Sequence, residues 1–392
     1  MFEFQINQQA IKLSNRTRIL NFIAEKGEMT KQEIAKQLNL SIPTVISNIS
    51  KLLEEGLVKE AGVAESTGGR KPVIIRFNPN ARYSFGVDIS PRKMKIVLIN
   101  LESEILVEEE IALKEKINSF EAIIKESKKI IETIIEKEKI KKENILGVGF
   151  SLPGIINEEA LILENAPNLK VKNFDFKPYK EIFGMPIYIE NEANAAAIGE
   201  RTLGHGKGKN NLVYISITEG VGTGIIIQNY LYKSISKKAG EFGHMRVTDE
   251  KIKCNCGRTG CWELYASERA LIERFNTFSK QRIESVTQFF EYFQEGNEVA
   301  IKVLDRYLDY LCIGIENIIL ALSPEYIIIG GEISKYEGVY KEKLIEKLGK
   351  ESTFYGMQGI RIGFSQLKEK ASLLGAGILA IQDLFNMNNK AI

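Results

Sequence analysis

The sequence predicts an α/β chain in two parts: a small N-terminal winged helix-turn-helix, then a large unit of two similar lobes. Three observations carry this. Residues 14–60 hold three helix-length apolar stripes, and two short β-prone runs follow them. From residue 83 onward, strand-like runs alternate with long helical runs, the signature of an α/β domain. Finally, Gly86-Val87-Asp88-Ile89 is echoed by Val213-Tyr214-Ile215-Ser216-Ile217 and the Gly-rich turn after it, which predicts two lobes flanking a cleft. The 392 residues suffice for two to three domains and a core that needs no disulfide staples.

The first predicted helix spans residues 16–25, with Ile19, Leu20 and Ile23 on one face. A second, at 31–37, follows Thr30 as N-cap, and Glu33 three positions on completes a capping-box pattern. The third spans 43–55, with Ser41 as its N-cap and Pro43 in the first turn, where a missing N–H is harmless. Val45, Ile49, Leu52 and Leu53 form its buried stripe, and Gly56 ends it. Strands are expected at 57–61 and 73–77, with Asn78-Pro79-Asn80 as a linker. Further strands are expected at 85–89, 95–101, 145–150, 187–189, 212–217, 225–227 and 326–329. Isoleucine pairs at 123/124, 130/131 and 134/135 give the 120–139 helix a core-facing stripe, with its lysines solvated opposite.

Charge locates a partner for the first part. The whole chain carries only +2, which excludes a polycation coating nucleic acid. Residues 1–82, however, hold 12 Lys/Arg against 8 Asp/Glu. On the third helix, Ser41, Thr44, Ser47, Asn48 and Lys51 are read as an exposed face suited to a major groove. The loop Gly68-Gly69-Arg70-Lys71-Pro72 stands at the wing position. There Gly68 and Gly69 permit close backbone approach, Arg70 suits a narrow A·T-rich minor groove, and Lys71 beside it completes the basic loop. A helical domain used for protein contacts is the plainer alternative. No apolar run approaches the ~18 residues of a membrane span, and no secretion signal is read, so a cytoplasmic protein without membrane contact is expected.

Four cysteines are too few for a disulfide framework, and three of them fall within eight positions. Cys254, Cys256 and Cys261, with His244 upstream, make the Cys₃His set of a closed structural zinc site. Gly257 and Gly260 allow the tight turns that would bring the thiols onto one ion. Four protein ligands leave no open position for water, so a catalytic metal is not expected. Cys312, on an apolar helical pattern, reads as core.

Gly240-Glu241-Phe242-Gly243-His244, followed by Cys254-Asn255-Cys256-Gly257-Arg258-Thr259-Gly260-Cys261-Trp262-Glu263, resembles the signature of the ROK family of sugar kinases and sugar-responsive repressors. Supporting stretches are Pro153-Gly154, Asn165–Leu169, Glu190–Ala197 and Pro324 with Gly330-Gly331. The likeness covers essentially the whole chain. It implies a two-lobed, actin-like (RNase H-like) ATPase fold with sugar in the cleft, and a winged helix of the kind that family's repressors add to its kinases. The expected division is 1–80 for DNA binding, 81–190 with 372–392 for a small lobe, and 191–371 for a large lobe bearing the zinc site and a dimer surface. Within the family, residues 261–267 and 218–222 look most like xylose-operon repressors.

The same resemblance questions catalysis. The family's kinases carry Asp-x-Gly-Gly-Thr-Lys as a first phosphate cradle, whereas this chain reads Asp88-Ile89-Ser90-Pro91-Arg92-Lys93. Proline removes an N–H that a phosphate oxygen would use. In the second cradle Glu219 introduces a repelling carboxylate. Glu192 stands at the family's catalytic Asp, one methylene longer. Sugar-binding positions are retained by comparison: Gly154, Asn168, Asn191, Glu192, Glu241, His244 and Glu263. His244 is thus claimed by both metal and sugar, and Glu241 and Glu263 can alternatively buttress the metal loop. The expectation is a sugar-responsive repressor of a carbohydrate operon, a homodimer or higher homo-oligomer, binding operator DNA, a monosaccharide (first xylose) and structural Zn²⁺, with no ATP. The alternatives are a regulator answering glucose or N-acetylglucosamine, and an active kinase fused to a DNA-binding domain.

Overall fold

The computed structural model describes residues 8–63, 72–113, 119–235, 237–351 and 361–385. The N-terminal unit runs α1 (Gln8–Lys26), β1 (Glu28–Thr30), α2 (Lys31–Leu38), α3 (Ile42–Glu54), β2 (Val58–Val63) and β3 (Val73–Phe77). Thr30 caps α2 with the full reciprocal box to Glu33, and Ser41 caps α3. The short strand β1 after α1 escapes notice in the sequence because three residues carry no periodicity. It matters, since β1 pairs with β3 and turns the β2–β3 hairpin into a three-stranded sheet. The wing loop between β2 and β3, with Gly69, Arg70 and Lys71, lies outside the described residues.

Asn78-Pro79-Asn80 is not a free linker. Pro79–Ala81 form a 3-10 turn tied on both sides. Asn78 bonds back to Gly56 and Leu57, while Pro79 and Asn80 accept from Leu101 and Asn100 of the next unit. One apolar cluster runs from Ile19, Val45 and Phe77 through Val97, Ile99 and Leu101 to Ile378, Ile381 and Phe385. The two units therefore share a core.

The larger unit continues with β4 (Tyr83–Ile89), β5 (Lys93–Asn100), β6 (Ile105–Ala112), α4 (Phe120–Lys137) and β7 (Ile145–Leu152). There follow β8 (Ile155–Asn157), β9 (Ile162–Ala166), β10 (Val171–Asp175), α5 (Tyr179–Phe183), β11 (Ile187–Asn191) and α6 (Glu192–Leu203). The second half holds β12 (Leu212–Ile217), β13 (Val221–Ile227), β14 (Tyr230–Leu231), α7 (Glu263–Ala266), α8 (Glu268–Phe278), α9 (Val286–Gln294) and α10 (Glu298–Leu322). It ends in β15 (Tyr326–Gly330), α11 (Glu337–Glu351), β16 (Arg361–Phe364) and α12 (Ala371–Leu384).

The internal echo is a topological repeat. The first five-stranded sheet is ordered β6-β5-β4-β7-β11 and the second β14-β13-β12-β15-β16. In each, an antiparallel meander precedes two parallel additions. A β10-β9-β8 sheet is appended to the first half. Helices α6 and α12 cross between the halves at backbone contact, since a Cβ on Gly375 would fall 1.7 Å from the Ala195 carbonyl. Side chains on either helix at that crossing would force the halves apart. Among the described residues, no helix is long and apolar enough to cross a membrane.

Candidate functional site

A cavity of about 690 Å³ opens between the halves. It is lined by Gly154, Asn168, Asn191, Glu192, Glu241, His244 and Glu263, so the fold brings all the sugar-position residues to one space. The strand-to-helix junction at β11–α6 forms one wall. Asn191 caps α6, its Oδ1 accepting from the N–H groups of Ala193 (2.9 Å) and Asn194 (3.3 Å). Its Nδ2 donates to the Gly154 carbonyl at 2.9 Å. Gly154 has φ +106°, and a Cβ there would lie 2.2 Å from the Asn165 carbonyl, so only glycine fits. Asn168 sits exposed on a 3-10 turn at the rim.

Glu192, the first residue of α6, accepts from Ser216 Oγ at 2.9 Å. Burial raises its pKa to about 7, the nearby Asp88 carboxylate adds to the rise, and the Ser216 bond opposes it. Burial also raises Asp88, against hydrogen bonds from Ser151 and Ser372 and the charges of Lys95 and Lys93. Neither Ser216 nor Asp88 was marked as a site residue by the sequence. Asp88 stood in the altered cradle motif, and Ser216 becomes visible only through strand alternation on β12.

The opposite wall is the cysteine loop. A ring nitrogen of His244 and the thiol sulfurs of Cys254, Cys256 and Cys261 lie within 4.8 Å of one another. Two edges of the cluster measure 3.5 Å (His244 Nδ1 to Cys254) and 3.6 Å (Cys256 to Cys261). A tetrahedral ion with bonds of about 2.0–2.3 Å demands edges of roughly 3.5–3.8 Å. The donor set can therefore hold a metal ion with little movement. Gly257 and Gly260, both at positive φ, make the turns. Trp262 anchors the loop in the core, fully buried and donating from its indole N–H to the Tyr310 carbonyl at 2.7 Å. Burial pushes the Cys254 and Cys261 thiols up. For Cys256 burial is outweighed by the Arg258 N–H and by hydrogen bonds from its neighbouring thiols, so its pKa falls.

His244 can serve two partners because its ring faces two ways. Nδ1 points into the thiol cluster, and Nε2 lies 3.6 Å from Glu241 Oε2. Glu263 touches the cluster as well, with Oε1 2.9 Å from the Cys254 sulfur and 3.5 Å from His244 Nδ1. It both buttresses the loop and lines the cavity. Burial raises Glu241, while His244 beside it pulls the other way.

At the far end of the cleft the two altered cradles meet. In the β4–β5 turn, Ser90 bonds to the Lys93 carbonyl through its N–H and its hydroxyl, both at 2.9 Å. The Lys93 N–H returns to Ser90 Oγ at 3.3 Å. Arg92 then reaches Glu219 of the second half at 3.2 Å. Nearby Glu268 is half-buried and accepts the Ile333 N–H at 3.0 Å, and desolvation with the Glu332 charge raises its pKa to about 8.

On α3, Ser41, Ser47 and Lys51 are exposed and Thr44 is half-exposed. Asn48 corrects the sequence reading: it is 8% exposed, and its Nδ2 donates to the Thr44 carbonyl at 2.8 Å. The reason is spacing. Positions 45, 48, 49 and 52 form one i, i+3, i+4, i+7 stripe, and Asn48 lies on the core side of it despite its polarity. The outward face instead adds Ile46 and Ser50, while Ser41 Oγ is engaged with Thr44.

The comparisons agree with this geometry. The ROK family profile matches residues 84–383, and the profile "Winged helix-turn-helix DNA-binding" matches residues 13–59. A protein of Caldicellulosiruptor bescii named xylose repressor is 31% identical, over 97% of this chain and 98% of its own. The crystal structure of a ROK family transcriptional regulator, a homologue of the E. coli MLC protein, superposes with a TM-score of 0.83 at 23% identity, covering 96% of this chain and 97% of that one. A ROK family glucokinase from Streptomyces griseus, solved with glucose and AMPPNP, superposes with a TM-score of 0.66 at 28% identity, over 76% of this chain and 99% of its own. A winged helix in front of a two-sheet cleft, a profile match over most of the chain and a full-length relative together establish that this chain belongs to the ROK family.

Proposed function

We propose that the chain is a DNA-binding transcriptional repressor whose effector is a neutral monosaccharide, D-xylose first, held in a cleft that no longer transfers phosphate. The observation that carries this is one chain with a winged helix at its head and the polar groups of Asn191, Glu192, Glu241, His244 and Glu263 around a single cavity. Carboxylates and an amide suit the vicinal hydroxyls of a sugar, and the volume suits a small ligand. The name of the Caldicellulosiruptor bescii relative supports xylose.

The loss of phosphate transfer is supported by the cleft's far end. The Ser90 and Lys93 donors that a phosphate would use close on each other. The Arg92–Glu219 ion pair bridges the two cradles, and Glu219 places a carboxylate there. Glu192 retains a carboxylate at the kinase base position, in a hydroxyl-binding role. Zn²⁺ is the metal that fits three thiols and an imidazole, in a closed structural site. The chain divides into a DNA-reading unit at 1–80, a small lobe at 81–190 with 372–392, and a large lobe at 191–371. It acts as a homodimer on two half-sites. Ser41, Thr44, Ser47 and Lys51 face the major groove, with Gly69, Arg70 and Lys71 at the wing.

Sugar reduces operator affinity in this reading. Closing the cleft rotates the halves, and the winged helix shares its core with α12, which lies between them. A coupling of about 1–3 kcal/mol, roughly 5- to 150-fold, is expected. The test is a thermal-shift panel of pentoses, hexoses and amino sugars with and without MgATP. Xylose should raise the midpoint, and MgATP should not. A response to glucose or N-acetylglucosamine alone would replace the ligand. Sugar phosphate formed with turnover would replace the reading with a kinase.

A further inference from the structure

The cavity has a lysine that the family resemblance does not assign. Lys233 follows β14, on the second half of the molecule. Its Nζ lies 2.5 Å from Glu190 Oε2 and 3.1 Å from Glu158 Oε1. Both carboxylates belong to the first half: Glu190 is in β11, and Glu158 follows β8. Glu190 is 4% exposed. Its other oxygen accepts the Asn191 N–H at 2.9 Å and the Asn194 Nδ2 at 3.0 Å. A single chain of contacts thus runs from one half, across the cleft, to the turn that presents Asn191 and Glu192 to the cavity.

We propose that Lys233 is a positioning residue of the sugar pocket: it clasps Glu190 across the cleft and so holds the sugar-facing end of α6 in place. This rests on the reading of the cavity as a sugar site. A buried carboxylate needs a cation or several donors to stay ionised. Glu190 has two neutral donors from its own half, and among the described residues its ion pair comes from the other half. When the halves part, Glu190 loses the ammonium and gains water, and the Asn191–Asn194 turn loosens with it. Lys237 reinforces the clasp from four residues on, at 2.9 Å from Glu158 and 3.3 Å from Glu159. Burial opposes the charge on Lys233, yet its two carboxylates outweigh burial and hold its pKa above the ordinary lysine value. An ammonium has three donors. Two are taken by Glu190 and Glu158.

The experiment compares the full-length parent with K233M, K233R, E190Q and the K233M/E190Q pair. Two readouts are needed: xylose affinity by calorimetry, and amide hydrogen exchange over residues 190–194 in sugar-free protein. Sugar-free operator binding and melting midpoint serve as controls for folding. K233M should weaken sugar binding roughly tenfold or more and accelerate exchange at 190–194, while K233R retains most of both. In the double variant, the second change should add little to the first, because Lys233 acts through Glu190. If K233M fails to fold, K233R and E190Q carry the test, with E190Q expected to lose affinity and protection together. Sugar affinity within twofold of the parent and unchanged exchange overturn the proposal. Additive losses in the double variant overturn the route through Glu190. If the parent binds no monosaccharide but K233M still accelerates exchange, the sugar reading fails and the clasp stands.

Discussion

The two ends of the cleft use the same polar chemistry to opposite effect. At the sugar end, Glu241, His244 Nε2 and Glu192 keep polar atoms turned toward the cavity. At the phosphate end, the Ser90 and Lys93 donors satisfy each other and Arg92 is paired with Glu219. The first set lines the cavity while keeping internal contacts of Glu192 to Ser216 and of His244 to Glu241, whereas Ser90, Arg92 and Lys93 lie outside that lining and close on partners within the chain. In a fold shared by kinases and regulators, the useful question of a polar group is therefore whether its donors and acceptors are already engaged.

The largest expected effect falls on the cysteine loop beside Glu241 and Glu263. Cys256→Ser should eliminate the metal and lower the melting midpoint by about 10 °C or more, because metal-binding energy is folding energy at such a site. Elemental analysis and calorimetry check both. Purified parent chain without metal would break the comparison at its root.

Next in size is Glu241→Ala. It should weaken xylose about 100-fold by calorimetry and leave sugar-free operator affinity within twofold, since on the proposed reading it removes a hydroxyl partner remote from α3. A parallel loss of operator binding would mean that the cavity and the DNA-reading unit do not separate as described.

A smaller effect concerns pH. Glu268 and Glu192 have folded-state pKa values near 8 and 7, above the usual carboxylate value. Between about pH 5 and 8 the folded chain thus holds protons that the unfolded chain has released. Stability must fall as pH rises through that window. Glu268→Gln should flatten the decline, as read from melting midpoints at a series of pH values. An unchanged slope would remove Glu268 from the account.

The smallest effect should come from Arg92→Ala, which breaks an exposed ion pair worth at most about 1 kcal/mol. Sugar affinity should change less than threefold, and MgATP binding should not appear. Nucleotide binding gained by this change alone would show that the pair is the only barrier.

Much of this was legible in the sequence where signals are local. Three cysteines within eight positions, the Thr30–Glu33 box and the β4/β12 echo each repeat or close over a few residues. Edge strand β6 was missed because Glu108-Glu109-Glu110 interrupts alternation on a strand that faces solvent. Asn48 was misread because side-chain polarity was weighed above helical spacing. The wing at 69–71 and the lobe boundaries remain expectations. Lys233 and Glu190 lie 43 positions apart, so no local pattern joins them, and only the closed fold makes the pair.

The central claim is that sugar in this cleft controls DNA binding and is not a substrate. Its most direct test is fluorescence anisotropy of a labelled operator, recovered by selection from random duplexes, titrated with the full-length chain at fixed salt with and without saturating xylose. The account predicts operator affinity reduced about 5- to 150-fold by xylose, and by the same factor whether or not MgATP is present. A chain that binds xylose by calorimetry yet holds its operator with unchanged affinity would contradict it.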